Sequence, residues 1–260
     1  MDENFELPLV PTEPETTDPD NLIIFSKPKT GKTTLVSGLP NALILDLENG
    51  SDYVRGMKVK ANSIDDIKII GKKIKEAGYP YKFVVVDTIT ALEEKCIDYA
   101  EELYSKTPLG KYWFTEGGDK EKHGNILSLP KGAGYFWLRE AYVKVTNYIK
   151  TWAPHIIFLG HVKDAELGKE GGEFNALDLD MTGKLKRMAA GKSQAIGYLY
   201  RKGNQNILSF LTSDKVICGA RPEHLSNKQI VLSEKQDDGS YVFHWDQIYL
   251  KLKKNGKERK

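Results

Sequence analysis

The stretch Ser26-Lys27-Pro28-Lys29-Thr30-Gly31-Lys32-Thr33-Thr34 is the most informative part of the chain, because of what precedes and follows it. The apolar run at residues 22–25 enters it as a buried strand, and a helical pattern leaves it and ends near Gly38 and Pro40. A loop between a strand and a helix aims successive backbone N–H groups at one point and adds the positive end of the helix. The stretch therefore predicts a cradle for nucleotide phosphates.

Two side chains of this loop have predicted roles in binding ATP and Mg²⁺. Lys32 is placed to reach the β- and γ-phosphates, and the hydroxyl of Thr33 is placed to bind Mg²⁺. The usual pattern begins with Gly, whereas here the first position is Ser26, which adopts a tight turn less freely. The alternative is a chance Gly-Lys-Thr in a surface loop, and the flanking strand and helix argue against it.

Composition predicts one α/β domain with charged ends. The chain has 260 residues, of which 40% are hydrophobic, enough for one sizeable core. The net charge of +2 says nothing about partners, but residues 1–20 contain seven acidic and no basic residues, whereas residues 251–260 contain six basic residues and one Glu. We expect solvated tails, with attraction between subunits as the alternative.

Cysteine usage and hydropathy favour a cytoplasmic protein. Two cysteines give no disulfide framework, and Cys96 shares the apolar face of a helical pattern with Leu92 and Tyr99, which predicts a core position. The acidic N-terminus is unlike a signal peptide. No apolar run approaches the ~20 residues of a membrane helix, so we expect no membrane association.

Apolar strands alternate with amphipathic helices over most of the chain, which predicts a mainly parallel twisted sheet with helices on both faces. Ser63 and Asp66 suggest a capping box for a helix that ends at Gly78. In the last third, alternating residues 196–200 and 207–211 flank a turn, which predicts an antiparallel β-hairpin that extends the sheet. We expect a Pro-rich disordered arm over 1–20, a core over 21–250 and a basic tail over 251–260.

Residues 105–134 lack a clear period and are longer than the ~12–15 residues of even a long connection, which favours a functional loop. Aromatic and basic residues alternate within it, a pattern that suits stacking on unpaired bases, worth ~1–3 kcal/mol per base. A subunit interface would use the same residue types. The residues concerned are Lys106, Lys111, Tyr112, Trp113, Phe114, Lys120, Lys122 and Lys131.

Two carboxylates follow predicted strands. Asp87 closes the strand at 83–86, at the edge where ligands of open α/β sheets bind, and is predicted to hold Mg²⁺ in the Walker B role. The alternative for Asp87 is a helix N-cap, a role that Thr88 or Thr90 can also take. Many ATPases, including the AAA+ class, keep a water-activating Glu where this chain has Thr88. Glu48 is the predicted substitute that orients water, with an ordinary exposed loop residue as the alternative.

Three segments in order resemble the RecA family, over roughly residues 21–220. They are Leu43-Ile44-Leu45-Asp46-Leu47-Glu48-Asn49-Gly50-Ser51-Asp52, Val84-Val85-Val86-Asp87-Thr88-Ile89-Thr90-Ala91-Leu92 and Ile156-Ile157-Phe158-Leu159-Gly160-His161-Val162. The chain is most similar to short RecA-like recombinases of bacteriophages, which are single-strand annealing or recombination ATPases. The resemblance implies a RecA-type P-loop NTPase core, Glu48 as a catalytic residue and His161 as a γ-phosphate sensor.

The same resemblance implies a homo-oligomeric ring or filament, single-stranded DNA and a single-strand binding protein as partners, and the host cytoplasm if the chain is phage-encoded. RecA itself has Gln at the position of His161, and it has N- and C-terminal domains that this chain is too short to include. Homology search is therefore not implied. Candidates for a cation acting on a neighbouring subunit's γ-phosphate are Lys184, Lys186 and Arg201.

The Gly-rich residues 164–175 occupy the place of the family's DNA-binding loop but contain three Glu. Lys184-Leu185-Lys186-Arg187 and Lys192 can supply the missing positive charge, or form the solvated face of an amphipathic helix. Two other functions stay open. One is a nucleotide-gated binding module with little hydrolysis, and the other is a P-loop small-molecule kinase, which needs an Arg-rich lid that this basic stretch only faintly matches.

Overall fold

The computed structural model describes residues 9–115, 125–167, 174–213 and 216–252. These residues form one eleven-stranded sheet flanked by helices. The strands are β1 (Asn21–Ser26), β2 (Ala42–Asp46), β3 (Met57–Lys60), β4 (Phe83–Asp87), β5 (His155–Leu167), β6 (Phe174–Leu179), β7 (Ala195–Lys202), β8 (Gln205–Ser209), β9 (Gly219–Ala220), β10 (Gln229–Lys235) and β11 (Tyr241–Phe243). The described helices are α1 (Lys32–Val36), α2 (Ile64–Glu76), α3 (Ile89–Ser105), α4 (Pro108–Thr115), α5 (Ala133–Ile149) and α6 (Gly183–Lys192).

The sheet has the order β11-β10-β8-β7-β1-β5-β4-β2-β3, with β6 paired to β5 and β9 to β7. Pairing is parallel from β7 through β1, β5, β4 and β2 to β3, and antiparallel among β7, β8, β10 and β11. The predicted α/β fold, a mainly parallel sheet with a C-terminal antiparallel hairpin extension, is confirmed. Because β5 lies between β1 and β4, the carboxyl ends of these three strands meet at one edge.

Two apolar clusters hold helices against the two faces of the sheet. Strands β1, β2 and β4 are buried along their whole length, as expected from apolar residues that point to both faces. One cluster includes Ile67, Leu92, Leu138 and Leu185, and so attaches α2, α3, α5 and α6. The other joins Leu35 and Val36 of α1 to Trp245 and Ile248 near the C-terminus. Cys96 is fully buried in the first cluster, as predicted.

Side-chain caps fix where two of the helices begin. The Ser63 hydroxyl accepts a hydrogen bond from Asp66 N at 3.1 Å, and the Asp66 carboxylate accepts one from Ser63 N, so the predicted capping box of α2 is present. The N-cap of α3 is Thr88, whose hydroxyl accepts from Ala91 N at 3.2 Å. Asp87 is therefore not the cap of this helix, and its carboxylate is left for the carboxyl edge of the sheet.

The predicted long loop at 105–134 is partly helical. Helix α4 and two short 3₁₀ turns between Ile126 and Gly132 lie within it. Gly110 allows α4 to approach α3 closely, because a Cβ at Gly110 would lie only 1.9 Å from Tyr104 O. The short apolar pattern of α4 was too brief to be recognised as helical. Lys120 and Lys122 lie outside the described residues.

The predicted N-terminal arm is shorter than expected. Residues 9–17 are exposed and have no helix or strand, and residues 1–8 lie outside the described ranges. Asp18 is only 3% exposed, because its carboxylate accepts hydrogen bonds from Leu250 N at 2.8 Å and Lys251 N at 3.2 Å. The last residues of the predicted arm are therefore part of the folded core.

None of the helices in the described ranges is long and apolar enough to cross a membrane.

Candidate functional site

The loop between β1 and α1 forms a cradle. Lys29 and Gly31 have positive φ angles of 61° and 99°, and the conformation at Gly31 is one that a side chain would strain. The Thr30 hydroxyl closes the outer turn by donating to Lys27 O at 2.7 Å. Ser26, which stands where Gly is usual, is fully buried, and its hydroxyl accepts from Lys32 Nζ at 3.2 Å and donates to Lys27 O. Ser26 therefore helps to hold the side chain of Lys32 in place through this hydrogen bond.

Lys32 is held in the cradle as a nearly buried cation. The residue is 7% exposed, and its amine donates to the neutral hydroxyl of Ser26. Burial lowers the pKa of Lys32, while the carboxylates of Asp87 and Glu48 act in the opposite direction. A buried ammonium group whose hydrogen-bond acceptor is a hydroxyl is suited to binding a phosphate oxygen.

Thr33 and Asp87 form the oxygen pair opposite this lysine. The Thr33 hydroxyl donates to Asp87 Oδ2 at 2.8 Å, and Asp87 is 7% exposed. Burial raises the pKa of Asp87, the hydrogen bond from Thr33 lowers it, and the charge of Glu48 raises it further. A hydroxyl and a carboxylate fit two ligand positions of Mg²⁺. Within the described ranges, no group of three or more His, Cys, Asp or Glu could hold a metal ion, so nucleotide phosphates and water would have to complete the coordination.

Asp46 organises the loop that follows β2. Its buried carboxylate accepts hydrogen bonds from Glu48 N at 3.1 Å, Gly50 N at 3.2 Å, Ser51 N at 3.0 Å and the Ser51 hydroxyl at 2.6 Å. Burial opposes ionisation, but these bonds outweigh it and hold the pKa of Asp46 below its ordinary value. No functional role was predicted for Asp46. The Asn-Gly-Ser that follows it closely was an available turn signal.

Glu48 projects from this loop and contacts Thr88, the N-cap of α3, and His161 on β5. Its Oε1 accepts a hydrogen bond from the Thr88 hydroxyl at 2.5 Å and lies 3.0 Å from His161 Nε2, and its Oε2 lies 3.2 Å from the same nitrogen. His161 Nδ1 is buried and has no hydrogen-bond partner among the described residues. A ring with its proton on Nε2 donates to Glu48 and leaves no buried N–H unpaired. The contact with Thr88 was missed from the sequence.

The predicted residues line one cleft at the carboxyl edge of the sheet. The cavity has a volume of about 270 Å³ and is lined by Lys29, Gly31, Lys32, Thr33, Thr34, Asp46, Glu48, Gly50, Val54, Asp87 and His161. The structure therefore brings together the residues that sequence analysis assigned to phosphate, metal and water. Of the other cradle residues, Ser26 is buried, Thr30 is half-buried, and Lys27 and Pro28 are exposed on the outer side of the loop.

The candidate basic residues outside the cleft differ in what they contact. Lys186 forms a close ion pair with the buried carboxylate of Asp178, so it is engaged within its own chain. Lys184 and Arg187 are exposed on α6, and Arg201 is exposed near the end of β7. The predicted basic face of α6 is therefore present without Lys186. The side chains of residues 164–176, in the predicted DNA loop, lie outside what the structure describes.

One comparison with known proteins identifies the family of this chain. A family model described as an AAA domain matches residues 18–221, which is most of the chain. No curated protein sequence matches. Among solved structures, the KaiC-like protein PH0186 from the hyperthermophilic archaeon Pyrococcus horikoshii OT3 is similar with a TM-score of 0.43 and 12% identity, over 86% of this chain and 89% of that one. With its phosphate cradle and the carboxylates that face it, the chain belongs to the AAA domain family and has the P-loop ATPase core.

Proposed function

We propose that this protein binds ATP with Mg²⁺, hydrolyses the ATP, and uses the nucleotide state to control its binding to single-stranded DNA in recombination or strand annealing, with a phage as the source. The observation that supports hydrolysis is the position of Glu48. Its carboxylate faces the same cleft as Lys32, Thr33 and Asp87, and it is fixed there by Thr88 and His161. The alternative of an ordinary exposed loop residue does not explain these two contacts.

Each side chain of the cleft has a defined task in this proposal. Lys32 would donate to phosphate oxygens, and the Thr33 hydroxyl and the Asp87 carboxylate would hold the metal, which neutralises phosphate charge when bound. Glu48 accepts a proton from the attacking water, for which its Oε2 is suited because Oε1 already accepts from Thr88. Lys32 and Asp87 are buried, and burial strengthens their electrostatic effect on the phosphates.

His161 is the residue that would report the nucleotide state. Its Nε2 donates to Glu48 in this structure, and the same N–H is placed to donate to a phosphate oxygen in the cleft. His161 lies within β5, which continues to Leu167 and pairs with β6 in an antiparallel hairpin. A change of partner at His161 would therefore act on the base of the hairpin that the resemblance assigns to DNA binding.

An exposed aromatic group supports single-strand binding. Tyr104 near the end of α3 and Trp137 near the start of α5 have ring centroids 5.7 Å apart, and Phe136 packs edge-on to Trp137 at 5.4 Å. Tyr135 and Phe136 are 41% and 49% exposed, and Lys131 beside them is also exposed. Exposed rings next to a cation form a platform on which unpaired bases stack. The same rings would also serve a homo-oligomer interface, which we propose for the assembled protein.

ATP hydrolysis is tested with Glu48→Gln, Lys32→Ala and the control Glu76→Gln, which changes an exposed residue of α2. We expect Glu48→Gln to lower turnover ~10²–10⁴-fold and to retain nucleotide binding, because only the general base is lost. Lys32→Ala should abolish nucleotide binding, and the control should change neither property. Wild-type turnover in Glu48→Gln would refute the role of Glu48. Measurable nucleotide binding without turnover in the wild-type protein would favour the nucleotide-gated module.

DNA binding is tested by measuring single-strand affinity against salt with ATP present. A groove that contacts several phosphates loses affinity steeply as salt rises. Phe136→Ala should weaken binding about 5-fold or more, as expected for one stacked base, whereas Ile69→Ala, an equally exposed apolar change on α2, should not. Absence of binding at low salt would overturn the DNA proposal. A change in oligomer size in Phe136→Ala, with DNA affinity retained, would instead assign the rings to a subunit interface.

Incubating the purified protein with ATP alone and identifying the products distinguishes the proposed ATPase from the alternative P-loop kinase. Phosphate release by the purified protein without a second substrate, stimulated by single strands, is expected for the proposed ATPase. A P-loop kinase would instead transfer the phosphate to a small molecule and leave ATP nearly intact in its absence. Stimulation by single-stranded DNA would also support the recombination role, for which adding a single-strand binding protein is the next assay.

A further inference from the structure

Thr88 joins the proposed catalytic glutamate to the start of α3. The residue follows Asp87, is fully buried, and is the N-cap of the helix. Its hydroxyl oxygen accepts from Ala91 N at 3.2 Å and lies 2.5 Å from Glu48 Oε1. A helix N-cap has no structural need for this second bond, which links residues 40 positions apart in sequence.

The direction of the second bond follows from the chemistry of a hydroxyl group. Thr has one O–H donor and two acceptor lone pairs. The N–H of Ala91 takes up one lone pair, and the carboxylate oxygen of Glu48 can only accept, so the Thr88 proton points at Glu48. Hydrogen bonds to ionised acceptors are stronger and shorter than bonds between neutral groups. Thr88 therefore holds Oε1 of Glu48 in a fixed place, and Oε2, which lies 3.2 Å from His161 Nε2, keeps a lone pair for water.

We propose that Thr88 is a positioning residue for Glu48, acting through its side-chain hydroxyl. The inference rests on the proposed function, because it assumes that Glu48 activates water. It gives a physical role to the residue that stands where many ATPases keep the glutamate itself. In this chain the carboxylate comes from the loop after β2, and the residue after Asp87 supplies the donor that orients it.

The same part of α3 is bound to the segment that follows β6. The Thr90 hydroxyl donates to Asp180 O at 3.0 Å, and the buried carboxylate of Glu93 accepts from Thr182 N at 3.1 Å. Hydrogen bonds thus link helix α3 to Glu48 through Thr88, and to the segment after β6 through Thr90 and Glu93. Thr90 offers a matched control, because Thr90→Val removes the same chemical group from the same turn without touching Glu48.

The kinetic test compares Thr88→Val, Thr88→Ser and Thr90→Val. Thr88→Val removes the donor and should lower kcat about 10- to 100-fold with KM and nucleotide affinity nearly unchanged, as expected for a lost hydrogen bond to a charged group. Thr88→Ser keeps the hydroxyl and should stay within about threefold of wild type, and Thr90→Val should behave like wild type. Wild-type kcat in Thr88→Val would overturn the inference. Should Thr88→Val fail to fold, Thr88→Cys replaces it, with the same expected direction.

A second measurement does not depend on turnover. A double-mutant cycle of Thr88→Val and Glu48→Ala, measured by urea unfolding of the nucleotide-free protein, isolates the interaction between the two side chains. Thr88→Val removes the cap on Ala91 whether Glu48 is present or replaced, so the cost of the lost cap cancels. We expect the double variant to lose less in urea midpoint than the two single losses added together. Additive losses would overturn the inference. If Glu48→Gln retains full turnover, the proposed function fails, and if only Thr88→Val does, the role of Thr88 alone fails.

Discussion

Replacing Asp46 by Asn should destabilise the protein and displace Glu48, although the two side chains have nearly the same shape. Asp46 accepts four hydrogen bonds, from Glu48 N, Gly50 N, Ser51 N and the Ser51 hydroxyl. An amide has one accepting oxygen and one donating nitrogen. If its oxygen faces Glu48 and Gly50, its nitrogen can donate to the Ser51 hydroxyl but meets Ser51 N–H, and the opposite orientation leaves two N–H groups unpaired.

The magnitude follows from the better orientation. Ser51 is fully buried, so its unpaired N–H costs about 1–3 kcal/mol, and the remaining bonds lose the strength of a charged acceptor. We expect a loss on the order of 3 kcal/mol in the free energy of unfolding, or roughly 6–12 °C in Tm for a protein of this size. Because the pKa of Asp46 is lowered in the folded state, its stabilisation is present above the ordinary carboxyl pKa and is lost as pH falls through the lowered value.

The assay is urea unfolding of wild type, Asp46→Asn and Ser51→Ala at neutral pH, repeated at decreasing pH. Ser51→Ala removes only the hydroxyl bond and should cost about 1 kcal/mol. The difference between wild type and Asp46→Asn should shrink as the medium becomes more acidic. ATP turnover of Asp46→Asn should also fall, because the Glu48 backbone is no longer held. Equal stability of wild type and Asp46→Asn at neutral pH would refute this account of the loop.

Three further outcomes follow from buried groups. Burial raises the pKa of Asp87, so ionised Asp87 destabilises the nucleotide-free fold. Asp87→Asn should therefore raise Tm at neutral pH, as measured by calorimetry. This gain in Tm should fade as the pH falls below the raised pKa. Gly38→Ala should cost roughly 1–3 kcal/mol in urea unfolding, because its Cβ would meet the Phe243 ring at 2.2 Å. Burial raises the pKa of Cys96 to about 12 and of Cys218 to about 11, so mass spectrometry should show neither thiol alkylated in the native protein near pH 8.

Features set by neighbouring residues were predictable from the sequence. The phosphate loop, the capping box at Ser63 and the hairpin of β7 and β8 depend on short-range patterns, and each was predicted where the structure has it. The end of the N-terminal arm was not, because Asp18 is ordered by backbone groups at Leu250 and Lys251, more than 230 residues away. No local pattern records such a contact.

The features of the candidate site also divide into those that could be predicted from the sequence and those that could not. That Glu48, Asp87 and His161 line one cleft follows from their positions at or just beyond the ends of the parallel-paired parts of β2, β4 and β5, since carboxyl ends of adjacent strands share one edge. The sequence did not reveal which hydrogen-bond donor contacts each carboxylate. Thr88 was recognised as a possible cap from local spacing, and its bond to Glu48 depends on the register that sets Asp46 opposite Asp87.

That register also explains how a glutamate in the loop after β2 could take the proposed role of one placed directly after Asp87. Asp46 and Asp87 are paired in adjacent parallel strands, so the loop two residues beyond Asp46 passes beside Thr88. The proposed base is then carried by a loop rather than by the end of a strand, and its position is set by hydrogen bonds to Asp46, Thr88 and His161. Under the proposed function, a partner that moves α3 or β5 would also move Glu48. The segment that follows the β5–β6 hairpin is bound to α3, so on that proposal we expect a ligand on the hairpin to change the rate of hydrolysis.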